Sequence, residues 1–201
     1  MNVKISKGNS KMGSIPSVSL PAGLTCRCDC ECNKKCYAMK LERLRKSVRE
    51  AYRSNYDLLQ SDSDTYWREV EASVMMTRFF RFHVSGDIPS QEYLEHMVSI
   101  SERNPHCNIL CFTKKYDIVN HYLESHGGKL PNNLHMIFSG WRNLEMDNPF
   151  SLPEAHVIYR DGSTTARQDA KICKGNCTEC AVTDSGCWDL QRGEQIAFKE
   201  H

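Results

Sequence analysis

The sequence lacks a long apolar run, a charge imbalance and the common nucleotide-binding motifs. No stretch approaches the roughly 20 apolar residues of a membrane-spanning helix, and residues 1–20 contain no apolar core of a secretory signal. The 26 basic residues nearly balance the 25 acidic ones, so the overall charge gives no attraction to nucleic acid or to anionic membranes. A phosphate-binding P-loop, a dinucleotide fingerprint and a nucleophile elbow are also absent. We therefore expect a cytoplasmic protein with no membrane partner and no electrostatic signal for nucleic acid.

Cysteine is what the sequence has in excess. Five of the 11 cysteines lie in the short segment 26–36, namely Cys26, Cys28, Cys30, Cys32 and Cys36. Alternating cysteines rarely reach the geometry of a disulfide, and an odd total in a reducing compartment fits poorly with a disulfide framework. Thiolates that converge from a loop do bind zinc or a 4Fe-4S cluster. The segment therefore predicts a metal site.

A second cysteine group lies near the carboxyl terminus. It consists of Cys173, Cys177, Cys180 and Cys187. Four thiolates from one short segment suit tetrahedral zinc or a cubane cluster, and the spacing leaves these two alternatives open. It also leaves open whether the two groups complete one site or hold two. The amino-terminal group has more thiols than one site needs, and three protein ligands would leave a coordination position for substrate, whereas four would close the site.

Hydrophobic periodicity predicts helices that alternate with strands. Helices are expected at 37–59, 65–77, from Ser90 onward and at 116–125, and strands at 79–84, 108–113, 134–139 and 156–159. This alternation predicts an α/β fold, either a small partial (β/α) barrel or an open parallel sheet, with cysteine-rich loops at both ends. Four strands are too few for a complete eight-unit barrel. We expect an α/β domain at 1–170, which includes the cysteine loop 26–36, and a cysteine-rich tail at 171–201 packed on it.

Two candidate catalytic residues follow the first predicted strand. His83 and Asp87 lie at the strand end, where parallel sheets place their ligand sites. A histidine among aromatic residues is equally typical of a buried wall position. Cys107 and Cys111 share the parity of Ile109 on the second strand, which predicts buried apolar residues and not ligands. The other histidines form no ligand spacing and are expected at the surface or in loops: His96, His106, His121, His126, His135, His156 and His201.

Four short motifs together resemble a phage family named gene product 88, whose activity is unassigned. They are Cys32-x3-Cys36-Tyr37-Ala38, the stretch from Arg81 to Asp87, the strand end Phe112-Thr113-Lys114, and Cys187-Trp188. The resemblance extends from about Ser10 to Trp188. It implies a phage-encoded protein that works in the host cytoplasm.

The order of parts more distantly resembles the radical S-adenosylmethionine enzymes. In those enzymes three loop cysteines hold a 4Fe-4S cluster, whose open iron binds the methionyl part of the cofactor. The resemblance implies that Ser85, Gly86 and Asp87 receive the amino group of S-adenosylmethionine. The chain departs from the family pattern, because Cys28-x3-Cys32-x3-Cys36 has one residue more than the usual spacing.

We therefore expect a phage-encoded protein that binds a 4Fe-4S cluster and carries out a redox or radical reaction with a small-molecule or redox partner. One alternative is a non-enzymatic zinc module that binds a protein or nucleic acid. Another is a simple electron-transfer protein, in which every iron is bound by thiolate.

Overall fold

The computed structural model describes residues 2–27 and 29–200, so Cys28 and His201 lie outside the described residues. Six α-helices occur in the described chain: α1 (Tyr37–Leu44), α2 (Lys46–Ser61), α3 (Ser63–Met75), α4 (Gln91–Arg103), α5 (Tyr116–Ser125) and α6 (Cys177–Val182). The same residues form seven strands: β1 (Ser17–Val18), β2 (Phe79–Phe82), β3 (Asn108–Thr113), β4 (Leu134–Ser139), β5 (Glu154–Ile158), β6 (Lys171–Ile172) and β7 (Gln195–Lys199).

All the strands belong to one parallel sheet of order β1-β2-β3-β4-β5-β7-β6. Successive strands pair side by side from β1 to β5, as is typical of sequential βα units. The sheet does not close on itself, because β1 and β6 are its two edges. The α/β class is confirmed, and the sheet is the open parallel form of the two that the sequence predicts.

Side-chain caps mark where three of the six α-helices begin, namely α3, α4 and α6. The Asp62 carboxylate accepts a hydrogen bond from the Thr65 amide and starts α3, and the Ser90 hydroxyl accepts from the Tyr93 amide and starts α4. The prediction of a single long helix at 37–59 is wrong, because the segment forms the two helices α1 and α2. Arg45 adopts an extended conformation with φ −125° and ψ 99°, which ends α1 and lets α2 begin afresh.

Helices α2 to α5 pack on one face of the sheet. Strand residues on this face, such as Phe80 and Phe82, are fully buried against Trp67 of α3 and Tyr93 of α4. Burial of this kind contributes about 1.5–3 kcal/mol for each large apolar side chain. Cys107 and Cys111 lie in the same core, as their strand parity predicts.

The opposite face is covered by the two ends of the chain. Met12 and Ile15 of the amino-terminal segment pack with Trp188 and Leu190 of the tail over the middle of the sheet. The tail also supplies β6 and β7, and β7 pairs along its whole length with β5. The sequence therefore predicted four of the seven strands and missed β1, β6 and β7. β1 and β6 have only two residues each, and β7 is a short run near the chain end.

In the part of the chain that the structure describes, no helix is both long enough and apolar enough to span a membrane.

Candidate functional site

A cavity of about 1220 Å³ lies on the sheet face opposite helices α2 to α5. Its floor is formed by outward-facing strand residues, including Arg81 of β2, Phe112 of β3 and Phe198 of β7. Its walls come from the cysteine loop on one side and the tail on the other. Helices α2 to α5 cover the other face, and the two chain ends that cover this face leave the cavity between them.

Four amino-terminal cysteines line this cavity: Cys26, Cys30, Cys32 and Cys36. A 3-10 turn over Glu31–Lys35 follows Cys30, whose sulfur accepts a hydrogen bond from the Cys32 amide at 3.4 Å. A hydrogen bond between the Cys32 thiol and the Cys30 thiolate lowers the pKa of Cys30 to about 6 and raises the pKa of Cys32. Cys28 lies outside the described residues, and its role as a ligand stays a prediction.

Four carboxy-terminal cysteines line the same cavity: Cys173, Cys177, Cys180 and Cys187. Helix α6 carries two of them and is capped by the side chain of Asn176, which accepts from the Glu179 amide at 3.1 Å. The helix is attached to the amino-terminal segment, because the Cys177 amide donates to the Lys11 carbonyl at 2.9 Å. Burial first, and then the neighbouring thiolates of the same set, raises the pKa of Cys187 to about 12.

The two sets thus face one cavity as two groups. After burial, the pKa of Cys26 is raised by Asp87 and by Cys36 of the amino-terminal set. The pKa of Cys187 is raised, after burial, by the other three cysteines of the tail set. All ten cysteines that the structure describes are unpaired, so no disulfide occupies the thiols of the two sets that line the cavity. Within residues 2–27 and 29–200, no three His, Cys, Asp or Glu side chains already converge on a single ion. The fit to metal therefore rests on donor chemistry and on the shared cavity wall.

Gly86 and Ser85 are engaged by the chain itself. Gly86 has φ +80°, and a Cβ there would lie 2.8 Å from the Leu20 carbonyl oxygen and 2.7 Å from Thr25 Oγ1. The Ser85 hydroxyl donates to the Glu42 carboxylate at 2.9 Å. These contacts make Gly86 a close-packing position and direct the Ser85 hydroxyl proton to Glu42. The predicted contact of Ser85, Gly86 and Asp87 with S-adenosylmethionine stays a prediction, and we derive no step through that cofactor.

The Asp87 carboxylate ties the end of β2 to the end of β3. One oxygen accepts from the Thr113 hydroxyl at 2.6 Å and from the Ile88 amide at 2.8 Å, and the other accepts from the Lys114 amide at 2.9 Å. Burial raises the pKa of Asp87, although these hydrogen bonds act in the opposite direction. Asp87 lines the cavity, and its predicted catalytic role stays a prediction.

His83 is a buried, uncharged side chain at the cavity wall. Its backbone has φ +61°, which is uncommon outside glycine. Its Nε2 lies 3.1 Å from the Tyr93 hydroxyl, and its buried Nδ1 has no hydrogen-bond partner in the described chain. Burial lowers the pKa of His83 to about 3, so the ring is neutral at physiological pH. The aromatic wall that the sequence indicates is present, and a catalytic role stays a prediction.

Three cavity residues were missed by the sequence analysis. Arg81 and Lys114 lie within two of the motifs that carry the family resemblance, but the sequence assigned no role to either side chain. His156 was expected at the surface or in a loop, which is wrong. It lies in β5 at 7 % exposure, with Nε2 3.0 Å from the Glu154 carboxylate and Nδ1 2.8 Å from the Thr165 hydroxyl. Its position within a predicted strand was the signal that could have indicated burial.

This fold and cavity define an open parallel α/β protein whose two cysteine groups share one cavity. A family model described as "Gene product 88" matches residues 2–187, and the chain therefore belongs to the gene product 88 family. It is similar to the "Gene 88 protein" of Mycobacterium phage L5, with 27% identity over 182 residues that cover 84% of this chain and 72% of the relative. It is also similar to the "Gene 88 protein" of Mycobacterium phage D29, with 33% identity over 101 residues that cover 43% and 42% of the two chains. No solved structure matches the chain.

Proposed function

We propose that this phage protein binds a 4Fe-4S cluster through its amino-terminal cysteines and a second metal centre through its tail cysteines. The observation that carries the proposal is that two cysteine groups, far apart in the chain, line one cavity on the open face of the sheet. A structural metal that only stabilised a loop would have no need of a large cavity beside it. Its site of action, in this proposal, is the host cytoplasm, where thiols stay reduced and free to bind metal.

The surroundings of the amino-terminal set support an anionic thiolate centre. The Lys114 ammonium lies close enough to favour the Cys30 thiolate, after the larger effect of the Cys32 hydrogen bond. Lys114 Nζ is fixed by the Ser139 hydroxyl at 3.0 Å, so its charge is held in place. A cluster bound by several thiolates is stabilised by a cation at this position. The loop also has more thiols than one site needs, which fits three ligands and an open iron.

The tail set supports a closed centre with four protein ligands. Its thiols pack against the apolar cluster that contains Trp188 and Ala181, so the centre would be half enclosed by the core. Zinc and a cluster with all irons bound by thiolate fit these four donors equally well. In the first case the tail centre stabilises the cavity wall, and in the second it passes electrons to the loop centre.

A bound iron–sulfur cluster supplies one-electron transfer, and a redox reaction on a small molecule in the cavity is the function this site supports best. The residues of the chain enclose the reaction space. Arg81, Lys114 and the neutral His83 line it, with Phe112 and Phe198 as an apolar floor. His83 cannot act as an acid at neutral pH while its pKa stays near 3, so any proton role would be that of a base.

A zinc-binding module without enzymatic activity is the second candidate. The partial burial of all four tail cysteines against the apolar cluster that contains Trp188 favours it, because a structural zinc site is closed by four protein ligands. In this case the cysteine loops would shape a surface for a protein or nucleic-acid partner. A simple electron carrier is the third form, in which every iron of both centres is bound by thiolate.

Three variants test the proposal against these alternatives: Cys36→Ser, Cys177→Ser and Cys111→Ala. Protein purified without oxygen is analysed for iron, zinc and acid-labile sulfide. We expect Cys36→Ser to lose iron and sulfide, Cys177→Ser to lose the metal of the tail, and Cys111→Ala to keep both because its thiol lies in the apolar core. Zinc without sulfide in every preparation would favour the binding module. Full metal retention in Cys36→Ser would refute the loop site.

A further inference from the structure

The cavity is strongly basic although the chain as a whole is nearly neutral. Ten lysines and arginines line it, against only three acidic residues, a formal excess of seven positive charges. The acidic residues are already engaged: Asp87 by hydrogen bonds, Glu200 by Lys35, and Asp189 by Lys171. Among the described residues, seven of the ten basic side chains form no ion pair with a carboxylate. The positive charge of the chain is therefore concentrated at this one site.

Arg81 is a basic residue of the cavity floor with a buried donor that the described chain leaves without a partner. It projects from the middle of β2 onto the cavity floor, and its guanidinium lies over the Phe112 ring at 5.0 Å from the centroid. Its Nε is buried without a hydrogen-bond partner in the described chain. A buried donor without an acceptor costs about 1–3 kcal/mol, so an acceptor that a ligand brings to this atom would be favoured.

The metal centres do not account for the whole excess. A zinc ion with four thiolates carries two negative charges, and an oxidised 4Fe-4S cluster with four thiolates carries the same, so the two proposed centres would remove at most about four of the seven positive charges. A remainder of about three stays on the wall and floor. A single carboxylate carries one negative charge and would leave most of this remainder in place, whereas a phosphate ester carries close to two.

We propose that the cavity binds a small organic molecule that carries more than one phosphate group. Arg81 is the forked donor to one phosphate, because its planar guanidinium gives two parallel hydrogen bonds to an oxyanion. Lys11, which also lines the cavity and forms no ion pair in the described chain, adds a positive charge for a second phosphate. Phe112 and Phe198, with ring centroids 5.8 Å apart, each carry one of these cations over the ring, Arg81 over Phe112 and Lys11 over Phe198, which holds both charges on the cavity floor. This inference rests on the proposed function, because it takes the same cavity as the reaction site.

Calorimetry on the metal-loaded full chain in 150 mM salt tests this with fructose 1,6-bisphosphate as the probe. Tricarballylate, which has three carboxylates and no phosphate, is the matched anion. We compare Arg81→Gln and Arg81→Lys with Arg78→Gln, a control in which an exposed arginine outside the cavity is replaced. Arg81→Gln should weaken binding of the bisphosphate about tenfold or more, since it removes a charge-assisted hydrogen bond. Arg81→Lys should show a smaller loss, and Arg78→Gln should stay within about twofold of the wild type.

Several results would overturn the inference. These are no binding of the bisphosphate, equal binding of tricarballylate, equal losses in the Arg81 and Arg78 variants, or tighter Arg81-dependent binding of a single-stranded oligonucleotide. Metal and sulfide analysis of the same samples separates the two proposals. Binding through Arg81 in protein with zinc and no sulfide would leave this inference standing and remove the iron–sulfur cluster. A cluster without bisphosphate binding would remove this inference alone.

Discussion

Gly86→Ala tests whether the segment after β2 is held by packing against the amino-terminal loop. At φ +80° an alanine costs about 1–2 kcal/mol, because L-residues disfavour left-handed backbone. The new Cβ would also lie 2.8 Å from the Leu20 carbonyl oxygen and 2.7 Å from Thr25 Oγ1. Thr25 cannot retreat easily, because its hydroxyl oxygen accepts a hydrogen bond from the Asp87 amide. Overpacking of this kind adds about 1–3 kcal/mol, so we expect a total loss of about 2–5 kcal/mol.

Gly162→Ala is the matched control for this experiment. Gly162 has φ +81°, and a Cβ there would meet nothing within 4 Å. Its alanine variant should therefore lose only the backbone cost of about 1–2 kcal/mol. Urea unfolding of both variants, followed by tryptophan fluorescence in the same metal-loaded state, gives the two free energies. Equal losses would refute the reasoning, because they would mean that Leu20 and Thr25 exert no steric constraint on Gly86.

Three further predictions concern buried side chains. Burial lowers the pKa of His83 to about 3, below about 6.5 in the unfolded chain. The unfolded state therefore binds more protons between these values, and stability falls as pH drops below 6.5, by about 2 kcal/mol at pH 5. His83→Asn, which tolerates φ +61°, should remove this dependence in urea unfolding, and an unchanged slope would contradict it. Asn55→Ala should lower the free energy of unfolding by about 1–3 kcal/mol, because the Asn55 side chain hydrogen-bonds both Lys4 and the Ser19 carbonyl. It should also speed hydrogen exchange at the Lys4 amide, and exchange as slow as in the wild type would contradict this. Cys111→Ala should lower stability by about 1–2 kcal/mol with metal content unchanged, and loss of metal would contradict its place in the core.

The central part of the fold follows from local sequence signals. Strands β3 and β4 and helix α5 have the bounds that periodicity predicts, since polar and glycine-rich segments separate them. The break at Arg45 has no such signal, because neither glycine nor proline interrupts the helical pattern there. β1 and β6 have two residues each, too few to show a period of two.

The candidate site was only partly predictable. The cysteine groups are visible as spacing, but their meeting at one cavity depends on the pairing of β7 with β5 and β6, which links distant parts of the chain. The role of Arg81 had a readable signal. In β2 its parity is opposite to that of Phe80 and Phe82, so a charged side chain had to face away from the main core. The basic character of the cavity could not be read from a net charge of +1.

The central claim is that the amino-terminal loop holds an iron–sulfur cluster. The most direct measurement is the iron, zinc and acid-labile sulfide content of the full chain purified without oxygen, together with its visible absorption and the electron paramagnetic resonance of the reduced protein. The account predicts about four sulfides and four irons per chain for each cluster, broad visible absorption and a signal on reduction. Protein that contains zinc alone, with no sulfide and no visible absorption after anaerobic reconstitution, would contradict it.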